Sequence, residues 1–221
     1  MGHVLGVVGG SGGVGASVFA AVLASALASV AGESLLVDVD AAGGGVDVLL
    51  GIEAVDGARW SDLHLAGGRL DPSELVGGLP RWGPCAVLAA DAPMTAGAVD
   101  QVVEVAAAAG VPVVLDLPRT ACSERAAALE RCDLVVVLAR ADAPGLVAAH
   151  AVVTALPELP VGVVVRKGSR DRVGADEAAR LVRARLLGRL PPTGPAFELD
   201  AARLPRAHRA VADGVLAGVS P

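Results

Sequence analysis

Short, mostly apolar runs alternate with longer helical patterns along this chain, and this alternation restricts its fold more than any other feature. Such runs predict strands at residues 4–8, 35–39, 85–90, 111–117, 134–139, 161–165 and 187–190. Continuous hydrophobic runs are typical of parallel strands that are buried on both faces. We therefore predict an α/β fold with a mostly parallel central sheet of about seven strands and helices on both faces.

The segments between these runs predict helices at residues 15–31, 95–109, 121–130, 143–155, 176–187 and 204–216. A length of 221 residues suits one domain, so we expect residues 1–221 to form a single domain. The longest apolar stretch, Val18–Ala31, is shorter than the roughly 20 residues of a membrane span. No basic segment precedes it, so we predict a core helix and no membrane insertion.

The charges are distributed unevenly. Residues 1–58 contain six acidic residues and no Lys or Arg, whereas the remainder of the chain is balanced. Lys167 is the single lysine among 18 basic residues. The three cysteines and four histidines are scattered without metal-ligand spacing, which predicts reduced thiols and a cytoplasmic protein.

A glycine-rich segment, Gly9–Ser17, joins the first predicted strand to the first predicted helix. Glycines let the backbone turn sharply and point its N–H groups at an anion, and the helix that follows adds a favourable dipole. A glycine cluster between a strand and a helix indicates a phosphate site much more strongly than a glycine cluster elsewhere in a chain does. We assign nucleotide binding to the loop residues Gly10, Ser11, Gly12, Gly13, Val14, Gly15, Ala16 and Ser17.

Two nucleotide motifs fit this loop. Gly10–Gly15 satisfies the dinucleotide pattern G-x-G-x-x-G, and Asp38 follows 23 residues after Gly15, where a ribose-binding acid is expected. Gly10–Ser17 also satisfies the P-loop pattern G-x-x-x-x-G-K-[ST], except that Ala16 replaces the lysine. An NAD(P)-binding protein therefore remains an alternative to a P-loop protein.

Acidic residues at predicted strand ends favour the P-loop. Asp38 and Asp40 lie at the end of the second strand, and Asp116 lies at the end of the fourth, where a Walker B acid is expected. A hydroxyl at Ser17 beside such acids makes a site for a hard cation next to phosphates. We predict that Ser17, Asp38 and Asp116 hold Mg²⁺ directly or through water, and that Asp40 positions a catalytic water.

These motifs resemble those of the MinD/ParA group of P-loop ATPases. The similarity comprises the loop Ser11–Ser17, the D-x-D segment Asp38–Asp40, the D-x-P segment Asp116–Pro118 and the strand region Cys132–Asp142. Within that group the chain is most similar to the CpaE/TadZ-like branch, which includes actinobacterial septum-site-determining proteins. That similarity lies in residues 50–53, 57–63, 79–80 and 85–88.

The resemblance implies a MinD/ParA-like fold, ATP and Mg²⁺ as ligands, and a homodimer. It also implies a role in positioning a Tad pilus, a secretion system or a cell-division septum, with partners from that machinery. A cytoplasmic location with recruitment to a pole or septum follows from the same resemblance. Many members of this branch carry an N-terminal receiver-like domain, which we do not expect within residues 1–221.

The chain departs from the family pattern at three positions. Ser11 replaces the lysine that reaches a dimer partner's phosphates, and Ala16 replaces the lysine that holds the β- and γ-phosphates. Arg166 stands where the family has an asparagine that reads adenine, and we include it among the nucleotide-binding residues. We therefore expect weak ATP-Mg²⁺ binding with little or no hydrolysis unless an arginine, such as Arg119, substitutes for the lysines.

Other functions remain alternatives. A nucleotide-independent interaction scaffold is one of them. Residues 166–221 contain 11 basic and six acidic residues, with the greatest density at 166–172, so nonspecific DNA binding is a second. A solvated helix face explains such a charge run more simply, and we do not favour the DNA hypothesis.

Overall fold

A computed structural model describes residues 2–63, 70–168, 173–192 and 199–218. Its strands are β1 (Val4–Gly9), β2 (Ser34–Asp38), β3 (Arg81–Trp82), β4 (Cys85–Leu88), β5 (Val113–Leu117), β6 (Leu134–Arg140), β7 (Val161–Arg166) and β8 (Arg185–Leu190). Its α-helices are α1 (Ala16–Ala31), α2 (Val46–Leu50), α3 (Pro72–Gly77), α4 (Ala96–Ala108), α5 (Ser123–Glu130), α6 (Ala143–Thr154), α7 (Ala175–Val182) and α8 (Arg206–Ala217).

The eight strands form one sheet in the order β3-β4-β2-β5-β1-β6-β7-β8. Every pairing is parallel except that between β3 and β4. The predicted α/β class and mostly parallel sheet are confirmed, with eight strands instead of about seven.

Helices cover the sheet on both faces. Helices α1 and α8 pack on one face, where the side chains of Leu5, Val7 and Leu36 point. Helices α3 to α7 cover the opposite face, where those of Val4 and Val8 point. Both faces are therefore buried, which explains why the strands are apolar throughout rather than alternating.

The strand order excludes the dinucleotide-binding fold. In a Rossmann sheet β1 lies next to β2, in the order 3-2-1-4-5-6. Here β5 lies between β1 and β2, because β1 pairs with β5 and β6 while β2 pairs with β4 and β5. The Rossmann-type fold of the NAD(P)-binding alternative is therefore wrong, although its motif fitted the loop without a mismatch.

Two elements differ from the prediction. The helix predicted at 176–187 ends at Val182, Arg183 adopts a left-handed conformation (φ 61°), and β8 begins at Arg185. Pairing with β7 lets Leu187 pack over Gly162, and this tertiary contact outweighs the helical pattern. The antiparallel edge strand β3, two residues long, is too short to give a sequence signal.

None of the helices in the described part of the chain combines the length and hydrophobicity that a membrane span requires. The basic segment 166–172 lies partly outside the described residues, because 169–172 are not among them. Nonspecific DNA binding by this segment, the alternative that we do not favour, is therefore not tested by the described residues.

Candidate functional site

A cavity of about 1040 Å³ opens at the carboxyl ends of the parallel strands. It is lined by residues 11–18 of the glycine loop and α1, by residues 38–46 after β2, and by residues 116–120 after β5. All residues that we predicted to bind a nucleotide or a metal ion line this cavity, except Gly10 and Arg166. The loop and the strand-end acids, which are far apart in sequence, therefore meet in one place.

The loop is anchored at two points. The N–H of Gly10 donates to the carbonyl of Leu138 at 2.8 Å, and the side chain of Val14 is buried in the core. Gly13 and Gly15 adopt positive φ angles of 69° and 88°, which residues with a Cβ rarely tolerate. Between these anchors Gly12 and Gly13 are exposed, so the loop presents bare backbone.

The start of α1 has the properties of an anion site. Gly15 caps the helix without a side-chain hydrogen bond, and the first turn contains no acidic residue. The first N–H groups of the 16-residue helix therefore carry partial positive charge without a side-chain acceptor. Among the described residues, the buried hydroxyl oxygen of Ser11 also has no hydrogen-bond partner. A phosphate group fits both observations.

Asp116 lies beside this anion site. The carboxylate is 5% exposed and accepts a hydrogen bond from the hydroxyl of Ser17. Burial, together with the nearby carboxylates of Asp38 and Asp40, raises the pKa of Asp116 to about 7 against the lowering effect of Ser17. Such a carboxylate is stabilised in its charged form by a cation, which fits a Mg²⁺ ion next to phosphate.

Asp38 is paired in register with Asp116 on the neighbouring strand and is 3% exposed. Its carboxylate accepts from the backbone N–H groups of Asp40 and Val46, both at 3.0 Å, and from that of Ala90 at 3.5 Å. Burial raises its pKa to about 6 despite these bonds. Asp38 thus organises the turn after β2, and it also lines the cavity.

Asp40 is half-buried on the cavity wall and accepts from the N–H of Ala42 at 3.3 Å. No group of three His, Cys, Asp or Glu side chains within the described ranges is placed to hold a metal ion by itself. A Mg²⁺ ion here would therefore take most of its ligands from Ser17, water and phosphate oxygens, as Mg²⁺ sites in nucleotide-binding proteins do.

The two arginines singled out from the sequence occupy different places. Arg119 is exposed on the cavity wall. Arg166 lies outside the cavity, 7% exposed, and its guanidinium is 3.1 Å from the Nε2 of His208 on α8. Lys167 is exposed, and its backbone N–H donates to the carbonyl of Leu190. The proposed nucleotide contact of Arg166 stays a prediction.

Sequence reasoning missed two residues that support the site. The indole N–H of Trp60 donates to the backbone carbonyl of Asp38 at 2.8 Å, and Trp60 is itself buried. His208 holds Arg166 from a helix more than 40 residues away. Trp60 lies in the segment 57–63 that carries the similarity to the CpaE/TadZ-like branch, but neither residue was assigned to the site; the rarity of tryptophan, with two in the chain, was a further available signal.

No protein-family model matches the chain. Two uncharacterized proteins of Mycobacterium tuberculosis, one from each of two strains, are 40% identical to it over 191 residues. The alignment covers 84% of this chain and 53% of each relative. The chain therefore spans about half the length of the curated relatives that it matches.

Solved structures with similar folds include a ParA family ATPase from Chlorobium tepidum, with a TM-score of 0.76 and 20% identity over 87% of this chain and 84% of that chain. The MinC:MinD cell division protein complex of Aquifex aeolicus contains a chain with a TM-score of 0.75 and 20% identity, over 99% of this chain and 97% of that chain. The septum site-determining protein MinD of Pyrococcus horikoshii, complexed with Mg-ADP, has a TM-score of 0.70 and 17% identity, over 99% of this chain and 98% of that chain. The chain therefore has the fold of the MinD and ParA ATPases.

Proposed function

We propose that this chain is an atypical MinD/ParA-type protein that binds ATP with Mg²⁺ weakly at the cavity and hydrolyses it slowly or not at all. One observation carries the proposal: the glycine loop, Ser17 and Asp116 meet at one cavity, at the N-terminus of α1. The P. horikoshii MinD of the same fold is complexed with Mg-ADP, which supports this choice of ligand.

The residues fit the ligand in part. The loop backbone and the start of α1 would hold the phosphates, and Ser17 with Asp116 would face the metal ion, whose role is to neutralise phosphate charge. Charge-assisted hydrogen bonds contribute roughly 1.5–3 kcal/mol each, so a loop without lysine should bind about 10- to 100-fold more weakly than one with it. Hydrolysis needs charge stabilisation that grows in the transition state, and Ala16 supplies none.

We infer from the sequence resemblance a role in spatial positioning of a pilus, secretion or cell-division apparatus within the CpaE/TadZ-like branch. The MinC:MinD complex supports partner binding by a protein of this fold. In this proposal residues 1–221 form one ATPase-like domain, which dimerises, resides in the cytoplasm and is recruited to a pole or septum. A nucleotide-independent scaffold is the remaining alternative.

Calorimetry tests the nucleotide proposal. ATP with Mg²⁺ should bind in the range of about 0.1–1 mM, and NADH should not bind. Ala16→Lys should tighten the binding of ATP-Mg²⁺ by about 10- to 100-fold. Ala175→Lys, which adds a lysine at the first position of α7, is the matched control and should change nothing. Absence of ATP binding in both the wild-type protein and Ala16→Lys would leave the scaffold function.

A second test addresses assembly and location. Analytical ultracentrifugation with and without ATP-Mg²⁺ should show a nucleotide-dependent dimer. In cells, a fluorescent fusion should concentrate at a pole or septum, and deletion of the genes for the pilus, secretion or division apparatus should disperse it. A uniform distribution in both backgrounds would contradict the positioning role.

A further inference from the structure

β8 is an edge strand of the central sheet. Within residues 2–63, 70–168, 173–192 and 199–218, β7 is the only strand that pairs with it. An unpaired strand edge presents a row of N–H and C=O groups with which a further extended segment can form hydrogen bonds. β8 spans six residues, which is the length of an ordinary strand. Its edge is therefore long enough to accept a segment of similar length by strand addition.

A further cavity, of about 420 Å³, lies between this edge strand and α7 and shares no lining residue with the nucleotide cavity. One face of α7, the connection from α7 to β8 and the start of β8 line it, through Asp176, Ala179, Arg180, Arg183, Ala184 and Leu186. Side chains of a strand point alternately to the two faces of a sheet. If a strand were added to β8, its side chains on the α7 face would therefore lie beside Leu186 in this cavity.

Arginine side chains give this cavity a positive charge. Residues 178–190 contain four arginines and no acidic residue. Arg180 and Arg183 line the cavity, are exposed, and form no ion pair with any residue that the structure describes. Asp176, the acidic residue of the lining, is paired with Arg189. The charge of Asp176 is thus compensated, and two guanidinium groups remain to bind an anion.

We propose that the edge of β8 and this cavity together bind an extended acidic peptide segment of a partner protein. The backbone of the segment pairs with β8, and its carboxylates bind Arg180 and Arg183. A second copy of this chain fits the edge less well, because pairing of two β8 strands would bring the arginines at positions 185 and 189 of both copies together. The inference goes beyond the proposed nucleotide function, since it concerns residues outside the nucleotide cavity.

Duplex DNA also fits these observations less well than a peptide does. Its phosphates would use the two arginines, whereas the free backbone groups of β8 and the apolar side chain of Leu186 would gain no partner. An extended peptide uses all three features, because its main chain bonds to the strand edge and its alternate side chains enter the cavity.

Fluorescence anisotropy with short labelled peptides, about as long as β8, tests this proposal on the full chain without nucleotide. A peptide of alternating glutamate and valine should bind, and its lysine–valine counterpart should not. Arg180→Gln combined with Arg183→Gly should weaken binding by about tenfold. Glycine suits the φ of 61° at position 183, so the backbone is retained. Arg206→Gln, which removes an exposed arginine at the first position of α8, is the matched control and should bind as the wild-type protein does.

N-methylation of alternate peptide amides tests the strand addition itself. It should abolish binding in one of the two possible registers and spare it in the other, because one edge of the added strand faces β8. Hydrogen exchange on the wild-type protein needs no variant: the amides of β8 should gain protection when the acidic peptide is added.

The proposal is overturned if the wild-type protein does not bind the acidic peptide, or if the folded double variant binds it equally well. Unchanged exchange of the β8 amides overturns it too. Arginine-dependent binding of a random DNA duplex, without binding of the peptide, would assign this surface to nucleic acid instead. Calorimetry with ATP-Mg²⁺ should give the same result for the double variant and the wild-type protein, which separates a failure of this proposal from a failure of the nucleotide function.

Discussion

Replacing Asp116 by Asn should make the stability of the protein less dependent on pH. Asp116 is 5% exposed at the end of β5, and burial raises its pKa from an ordinary 3.8 to about 7. The folded state thus binds a proton more tightly than the unfolded chain does. Its contribution to stability is complete below about pH 4 and is lost as the pH rises through about 7.

The magnitude follows from the shift. One pKa unit corresponds to about 1.4 kcal/mol, so a rise of roughly three units amounts to about 4 kcal/mol. The carboxyl group is already ionised near pH 5 in the unfolded chain. The free energy of unfolding should therefore decrease by roughly 2–3 kcal/mol between about pH 5 and pH 8. Asp38, whose pKa rises to about 6, contributes a smaller loss in the same direction.

Urea unfolding followed by circular dichroism, in the presence of a chelator, measures this effect. Asp116→Asn should be more stable than the wild-type protein at about pH 8, and the difference should shrink by roughly 2–3 kcal/mol towards about pH 5. Mg²⁺ should stabilise the wild-type protein more than the variant. Asp71→Asn, at an exposed helix cap whose carboxyl has a lowered pKa, should show no gain at high pH. Parallel pH profiles for Asp116→Asn and the wild-type protein would refute the reasoning.

Three further substitutions probe the structure around the site. Gly15→Ala should lower the free energy of unfolding by about 1–3 kcal/mol, because the position has φ 88° and a Cβ would meet Arg166; an unchanged urea midpoint would contradict this. Trp60→Phe should cost about 1–3 kcal/mol, since it leaves the carbonyl of Asp38 without its 2.8 Å donor; a loss well below 1 kcal/mol in the same assay would count against the role of Trp60. Arg59→Met should cost about 2 kcal/mol, because it removes guanidinium bonds to four backbone carbonyls and to Asp47. Its control is Arg81→Met, which removes a half-exposed ion pair with Glu33 and should cost less than about 1 kcal/mol in urea unfolding; equal losses would show that the local bonds of Arg59 contribute little.

Much of the fold could be predicted because its signals are local. The buried strands β5, β6 and β7 each coincide with a mostly apolar run, and most of their residues are buried. Helix α1 was predicted to within one residue, since Gly15 and Gly32 both adopt positive φ angles that bound it. The end of α7 was not predicted, because pairing of β8 with β7 decided it.

The site was predictable to a similar extent. The glycine loop and the strand-end acids Asp38 and Asp116 carry recognisable spacing, and the structure places them around one cavity. Trp60 and His208 were missed, because a hydrogen bond to a backbone carbonyl or to a buried guanidinium leaves no pattern in the neighbouring sequence. Arg166 was noticed for the residue type it replaces, and its position against Gly15 was not foreseen.

The sequence by itself determined the α/β class, the phosphate-type loop and the absence of lysine from that loop. It left two nucleotide folds open, because both motifs describe the same few residues. Strand order decided between them: β5 inserts between β1 and β2 and brings Asp116 beside Asp38. Hydrophobic periodicity fixes which residues are buried, but the packing of whole layers fixes which strands are neighbours. The same packing brings His208 of α8 to the buried Arg166, whose guanidinium lies next to Gly15 of the glycine loop. The loop itself contains no basic residue.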